Sequence, residues 1–407
     1  MKGSLSHSNL KLFLLQFCYW GAYCAFYSYA VANMSAHGYS NFECGLLPTV
    51  TASITILFQP VMGYLIDTFI PNKVMLIGCL LMSTGTVFLM DLFIGSLGLI
   101  LLAVFIHSVF MQLLNVVIDN WTVSLREAHG GVSYPITRSG GSLGAAIIGF
   151  LTGLLITRFG YFVPTVSMHI IMALTAVVCA ATLLGVPCKN RDIHAGASVE
   201  KKVRISQALK LLIANRPYLL FILSSLIFNF AARMPNIYSA IIIKGYGGNT
   251  GTIGLAVFVA CISEMPALVM ITHLGRRFRL EHLYMSAIGV VVASLLPNLF
   301  FHSNAVFIAT RAVSSLGGAT AFAVLVELIY KLTPKKLNAT AMSLGVSVAF
   351  GLGQIAASFL GGIILTHVPI AAFFGFSVSA AALSFIVYLP VLLTELKQKE
   401  GLLNEAS

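Results

Sequence analysis

Four charged side chains stand inside long apolar stretches of this 407-residue sequence: Asp119, Arg233, Glu264 and Arg311. A charge at the centre of a bilayer helix costs roughly 2.5–3.5 kcal/mol on insertion scales. Each must therefore be paired or used. Glu264 is the candidate proton carrier, because its protonation depends on a balance between desolvation and any guanidinium nearby. Arg233 and Arg311 keep their charge at every useful pH, which makes them candidate counter-ions for Glu264. A static Glu–Arg ion pair is the plainer alternative.

Uncharged polar residues line up with these charges. Ser108, Gln112, Asn115 and Asp119 follow at spacings of four, three and four, so one helix face carries all of them. Ser225, Asn229, Arg233 and Asn236 repeat the pattern. Two such stripes are expected to face a water-filled cavity; taken singly, their members would serve as interhelical hydrogen bonds. Near the start of the chain, Tyr19, Tyr23, Phe26 and Tyr27, with Trp20 beside them, form an aromatic face. Aromatic rings with polar tips suit stacking on sugars, bases or drug-like rings, and suit bundle packing equally. Asp91 falls at a helix end, and Lys331 follows Glu327 by four residues; both carboxylates read as solvated or locally paired. His107 lies one position off the stripe and reads as a packing residue.

The elements that must hold these residues are membrane helices. The chain is 58% hydrophobic and only 9% charged, where soluble domains carry about 25% charged residues. A bilayer-spanning helix needs roughly 20 apolar residues. This predicts about twelve spans, near 9–34, 42–68, 73–93, 96–125, 138–158, 162–186, 216–244, 249–273, 280–300, 303–333, 337–367 and 369–395. The N-terminal apolar run passes Ala30 without a small-residue cleavage site, so it reads as the first span rather than a signal peptide. The net charge of +11 indicates topology, not nucleic acid. Alternating the loops collects nearly all lysines and arginines on one side and leaves Arg158 and Lys244 on the other. Both termini and the central loop are thus expected in the cytoplasm of a multi-pass protein of the cell membrane.

The seven cysteines show no metal-ligand spacing and no C-x-x-C pair. Neither a nucleophile elbow nor a phosphate-cradling glycine loop occurs, so no enzyme, cofactor or metal is expected. The one long polar segment divides the chain into a six-helix bundle over 1–186, a central loop over 187–215, a second bundle over 216–396 and a tail over 397–407. Gly141, Ala145, Gly149 and Gly153 in the fifth span match Ala349, Gly353, Ala357 and Gly361 in the eleventh. Small residues every fourth position let helix backbones approach closely, and their recurrence at equivalent places marks an internal repeat.

Between the second and third spans stands Phe58-Gln59-Pro60-Val61-Met62-Gly63-Tyr64-Leu65-Ile66-Asp67, followed by Pro71-Asn72-Lys73. This run resembles the G-x-x-x-D-x-x-x-x-[RK] loop signature of the major facilitator superfamily. The resemblance covers the whole chain. Over roughly residues 10–160 it is closest to the lactose-permease-like branch of oligosaccharide:proton and nucleoside:proton symporters. It implies an all-α fold of two pseudo-symmetric six-helix bundles and a conformational role for Gly63, Asp67 and Lys73. It also implies solute binding by a fourth-span carboxylate and a fifth-span arginine, which fall on Asp119 and Arg138. Glu264, in Ser263-Glu264-Met265-Pro266, matches the branch's eighth-span carboxylate.

The departures narrow the reading. Ala145 stands where the lactose permease stacks galactose on tryptophan. Gly317 and Thr320 replace its proton-coupling pair, and Asn229 and Gly353 replace an interhelical charge pair. The expectation is therefore a monomeric secondary transporter for a sugar, oligosaccharide or nucleoside, with protons as co-substrate. Asp119, Arg138, Asn115, Tyr23, Tyr27 and Asn229 would contact solute. Glu264, Arg233 and Arg311 would handle coupling. The alternative is a proton-coupled efflux antiporter for amphipathic drugs or metabolites.

Overall fold

The computed structural model describes residues 2–129, 132–183, 205–334 and 337–405. Within its helices the side chains of 2–7, 59–60, 62–64, 66–68, 127–129, 134–135, 205–208, 268–276, 339 and 394–405 are not described. Gly63 and Asp67 fall among the latter, and most of the central loop lies outside the described residues. Among the described residues every regular element is helical. Eleven stretches are long and apolar enough to cross a membrane. They coincide with the second to twelfth expected spans, and the first lies within α1 (Lys2–Ala36).

The chain divides into two packed units. The first joins Met1–Ser198 with Tyr238–Ile262; the second joins Val199–Ile237 with Ser263–Ser407. The last part of the seventh span and the first part of the eighth therefore pack with the first unit. Their helices are α11 (Ser239–Gly245) and the start of α12 (Thr250–Arg277).

In the first unit, α1 packs along α7 (Tyr134–Phe159) and α8 (Phe162–Thr182). Gly140 and Gly144 make this approach possible, because a Cβ on either would collide with a backbone carbonyl of α1, that of Phe13 or Phe17. This row is offset by one from the small-residue stripe seen in the sequence. Of that stripe, Gly141 packs under Trp20, while Gly149 and Gly153 receive Val257 and the Thr250 carbonyl of α12. The Tyr29 hydroxyl donates to the Gly149 carbonyl at 2.5 Å. Thr157 and Thr250 share a hydroxyl bond of 2.8 Å, and Lys244 Nζ donates to the Ala32 carbonyl near the end of α1. Helix α2 (Asn41–Thr68) opens on a capping box, in which Ser40 and Glu43 satisfy each other's backbone N–H groups.

In the second unit, α9 (Ile205–Ala214) leads into α10 (Arg216–Ile237), which packs on α17 (Ile370–Glu405) and on α16 (Gly353–His367). Ser224 and Ser384 donate to each other's carbonyls at 2.8 and 2.9 Å, which fixes α10 against α17. Helix α13 (Leu280–Leu295) packs on α14 (Asn304–Leu332). Buried Glu281 there pairs with Lys331 and, at 3.4 Å, with Arg279. Lys331 thus reaches across to α13, beyond the i, i+4 position of Glu327.

Several spans are interrupted. The fourth consists of α5 (Leu97–Met111) and α6 (Leu114–His129), which part at Gln112. The third is α3 (Asn72–Thr86) followed by the short α4 (Leu89–Leu92). In the seventh, α10 carries Pro235 and ends at Ile237, and α11 resumes at Ser239; proline removes one ladder hydrogen bond there and crowds the preceding turn. In the eleventh, a π-helical turn over Ser347–Leu352 joins α15 (Asn338–Val346) to α16.

Candidate functional site

Helix α1 and the fourth span run antiparallel, and their polar groups meet rung by rung. The Tyr27 hydroxyl bonds Ser108 Oγ at 2.9 Å. Gln112 Nε2 donates to the Tyr23 hydroxyl at 3.2 Å. Buried Gln16 donates from Nε2 to Asp119 Oδ1 at 3.0 Å. The residue number falls on one helix (27, 23, 16) by as much as it rises on the other (108, 112, 119), as two helices in fixed antiparallel register require. The polar stripe of the fourth span thus faces the aromatic face of α1. The rings themselves stack in sequence, with Tyr23 and Tyr27 at 4.5 Å and Trp20 and Tyr23 at 5.3 Å between centroids.

The same register brings Asn115 to the level of Trp20, whose indole lies against Gly141 of α7. There the ladder is open: Trp20 Nε1 and Asn115 Oδ1 are both enclosed and neither has a hydrogen-bond partner. A buried donor or acceptor left unmade costs about 1–3 kcal/mol. Arg138, near the start of α7, lies with its guanidinium 4.8 Å from the centre of the Trp20 ring. Asp119 and Arg138 are both half-buried. The first unit therefore sets Asp119, Asn115, Tyr23 and Tyr27 along one seam, with Arg138 against Trp20 on it. It adds Gln16 and Trp20, which the sequence reading did not assign to the site. Gln16 stands as a lone amide among apolar residues three positions before Tyr19, and nothing local on α1 names its partner; Trp20 was visible but off the main face.

The candidates of the second unit separate into two environments. Arg233 Nη1 donates to Gln354 Oε1 at 2.9 Å, its Nε approaches Asn229 Oδ1 at 3.4 Å, and its guanidinium lies 5.5 Å from the Phe350 ring. Phe350 belongs to the π-helical turn, and Gln354 follows it closely. π-turns occur often at functional sites, and this one aims both residues at Arg233. Arg311 lines a small cleft with Asn236, Asn298, Thr310 and Ser314. Asn298 Nδ2 donates to Thr310 Oγ1 at 2.9 Å. Glu264 is half-buried on α12, two residues before Pro266. Lys73 donates from Nζ to the carbonyls of Ala181 and Leu183 at 2.8 and 2.9 Å, and Lys11 to that of Thr182. Both lysines thereby cap the C-terminal end of α8. Outside the membrane spans, burial pushes Tyr161 up to about 12.

The profile of the MFS_1 like family matches residues 7–376. The chain belongs to the MFS_1 like family. It is a secondary transporter of the major facilitator superfamily and a multi-pass membrane protein, not an enzyme. Among curated relatives, it is 26% identical over 340 residues to the uncharacterized transporter YwbF of Bacillus subtilis, covering 81% of this chain and 80% of that one. It is 25% identical over 347 residues to the maltose permease of Geobacillus stearothermophilus, covering 83% and 82%. Two crystal structures of the nucleoside transporter NupG superpose with TM-scores of 0.80 and 0.75 at 14% identity, covering 95–96% of this chain and 98–99% of theirs. At that identity the likeness establishes the fold.

Proposed function

We propose that this family member moves a small hydroxylated solute, of the sugar, oligosaccharide or nucleoside class, together with protons. The observation that carries the reading is the open rung. In a ladder whose other rungs are bonded, Trp20 offers an unused donor and Asn115 an unused acceptor. A solute hydroxyl can accept from the first and donate to the second. Asp119 and Arg138 on either side supply charge-assisted bonds to neighbouring hydroxyls, and the aromatic face of α1 gives a ring surface to stack on. Among relatives, a maltose permease and a structurally similar nucleoside transporter are of the same solute class. From the second half, Asn229 would contact solute. Glu264 would carry the proton, and Arg233 and Arg311 would set its field. The chain would work as a monomer with both termini in the cytoplasm.

The continuous stack of Tyr19, Trp20, Tyr23 and Tyr27 also supports a second reading, export of amphipathic cations or metabolites by antiport. A thermal-shift screen of the purified protein against sugars, nucleosides and amphipathic cations at two pH values decides between them. The main reading expects a hit among sugars or nucleosides that is lost in Trp20→Phe and Asn115→Leu. Stabilisation by amphipathic cations alone would overturn it.

A further inference from the structure

Near the end of α1, a second small cleft lies inside the first unit, lined by Tyr29, Asn33, Asp91 and Thr165 with Phe26 and Met90. It is separate from the aromatic ladder and has room for roughly one water-sized occupant. Asn33 Nδ2 donates to Asp91 Oδ1 at 2.7 Å. The carbonyl oxygen of the same amide is enclosed and has no hydrogen-bond partner, in a side chain only 4% exposed. The other two oxygens have already committed their protons: the Tyr29 hydroxyl to the Gly149 carbonyl and Thr165 Oγ1 to the Tyr161 carbonyl at 2.7 Å. The Tyr29 hydroxyl lies against Gly153 and Gly254, so the lone pairs come from Asp91, Asn33 and Thr165, and one carboxylate supplies a single negative charge.

We propose that this cleft is a binding site for a hard monovalent cation, with sodium as the expected occupant. Hard cations take oxygen ligands, and a single carboxylate balances one positive charge but not two. Asp91 is half-buried rather than sealed, so an ion can enter without unfolding the helix ends. The second unit provides a contrast. Its small cleft lies among the first, third, fourth and sixth helices of that half, and Arg311, on the fourth, lines it. A guanidinium there repels a cation, so the proposal is confined to the cleft of the first unit. The proposal does not rest on the solute reading, and its test needs no solute.

The thermal midpoint of the full-length protein is measured in sodium, lithium, potassium or choline chloride at equal ionic strength. A saturable rise of a few degrees is expected in sodium and none in choline, because binding to the folded state alone stabilises it. Asp91→Asn and Asn33→Leu should each remove the rise. Radioactive sodium binding by equilibrium dialysis should give one site per chain, and this reading of the unaltered protein stands even if a variant does not fold. Equal midpoints in sodium and choline, a response to pH but not to sodium, or a sodium effect retained in Asp91→Asn would overturn the proposal.

Discussion

At the scale of single residues, the first-unit site separates charge from shape. Asp119 accepts a bond from Gln16, and an asparagine can accept the same bond without the charge. Asp119→Asn should therefore fold normally yet lose at least about tenfold in solute uptake, the equivalent of about 1.4 kcal/mol. The check is initial uptake rate alongside the melting midpoint; a variant with full uptake would remove Asp119 from the site. Arg138 lies against Trp20 with a planar cation. Lysine keeps the charge but neither stacks nor forks in the same way, so Arg138→Lys should raise the KM for solute several-fold with little change in stability. How legible this site was depended on what one helix can encode. The spacing of Ser108, Gln112, Asn115 and Asp119 is local and announced a common face. Which tyrosine meets which rung is set by the register between two helices, and no single helix records that. The open rung at Trp20 and Asn115 depends wholly on it.

At the scale of elements, long apolar runs located the spans, because the bilayer imposes one length on all of them. Their interruptions were less visible. Pro235 signals its own break, but the fourth span parts at Gln112, where neither glycine nor proline stands; the polar partner there is Tyr23 on another helix. The capping of α8 by Lys73 was likewise hidden, since it joins residues 108 and 110 positions apart. Close packing supplies a sharp test. A Cβ at Gly144 would collide with the backbone of Phe17, whereas one at Gly78 on α3 would meet nothing within 4 Å. Gly144→Ala should destabilise by about 1–3 kcal/mol. Gly78→Ala should be neutral or stabilising by up to about 1 kcal/mol. Melting midpoints of the two variants should therefore move apart, and equal shifts would show that α1 and α7 do not approach as described.

At the scale of the whole molecule, the asymmetry of lysines and arginines between loops predicts the orientation. A reporter fused after Ser407 should be active only when it functions in the cytoplasm, and so should one inserted in the central loop. The two halves repeat the same six-helix plan but carry different chemistry. The first unit concentrates a carboxylate, an arginine and aromatic rings on one ladder. The second places Arg233 on Gln354 and Phe350, and Arg311 in its own cleft. Under the proposed function, solute recognition would rest with the first unit and coupling with Glu264 in the second. The two roles should fail separately. Asp119→Asn should lower solute entry at least about tenfold in every assay, while Glu264→Gln should still exchange solute across the membrane but no longer concentrate it.

The most direct measurement is made in proteoliposomes loaded with a pH dye and energised by an inward proton gradient, using the solute identified by thermal shift. Adding solute outside should acidify the lumen as solute accumulates, and Glu264→Gln should exchange labelled solute without either proton entry or accumulation. Solute-driven proton movement in the opposite direction, or fully concentrative uptake by Glu264→Gln, would contradict the proposed function.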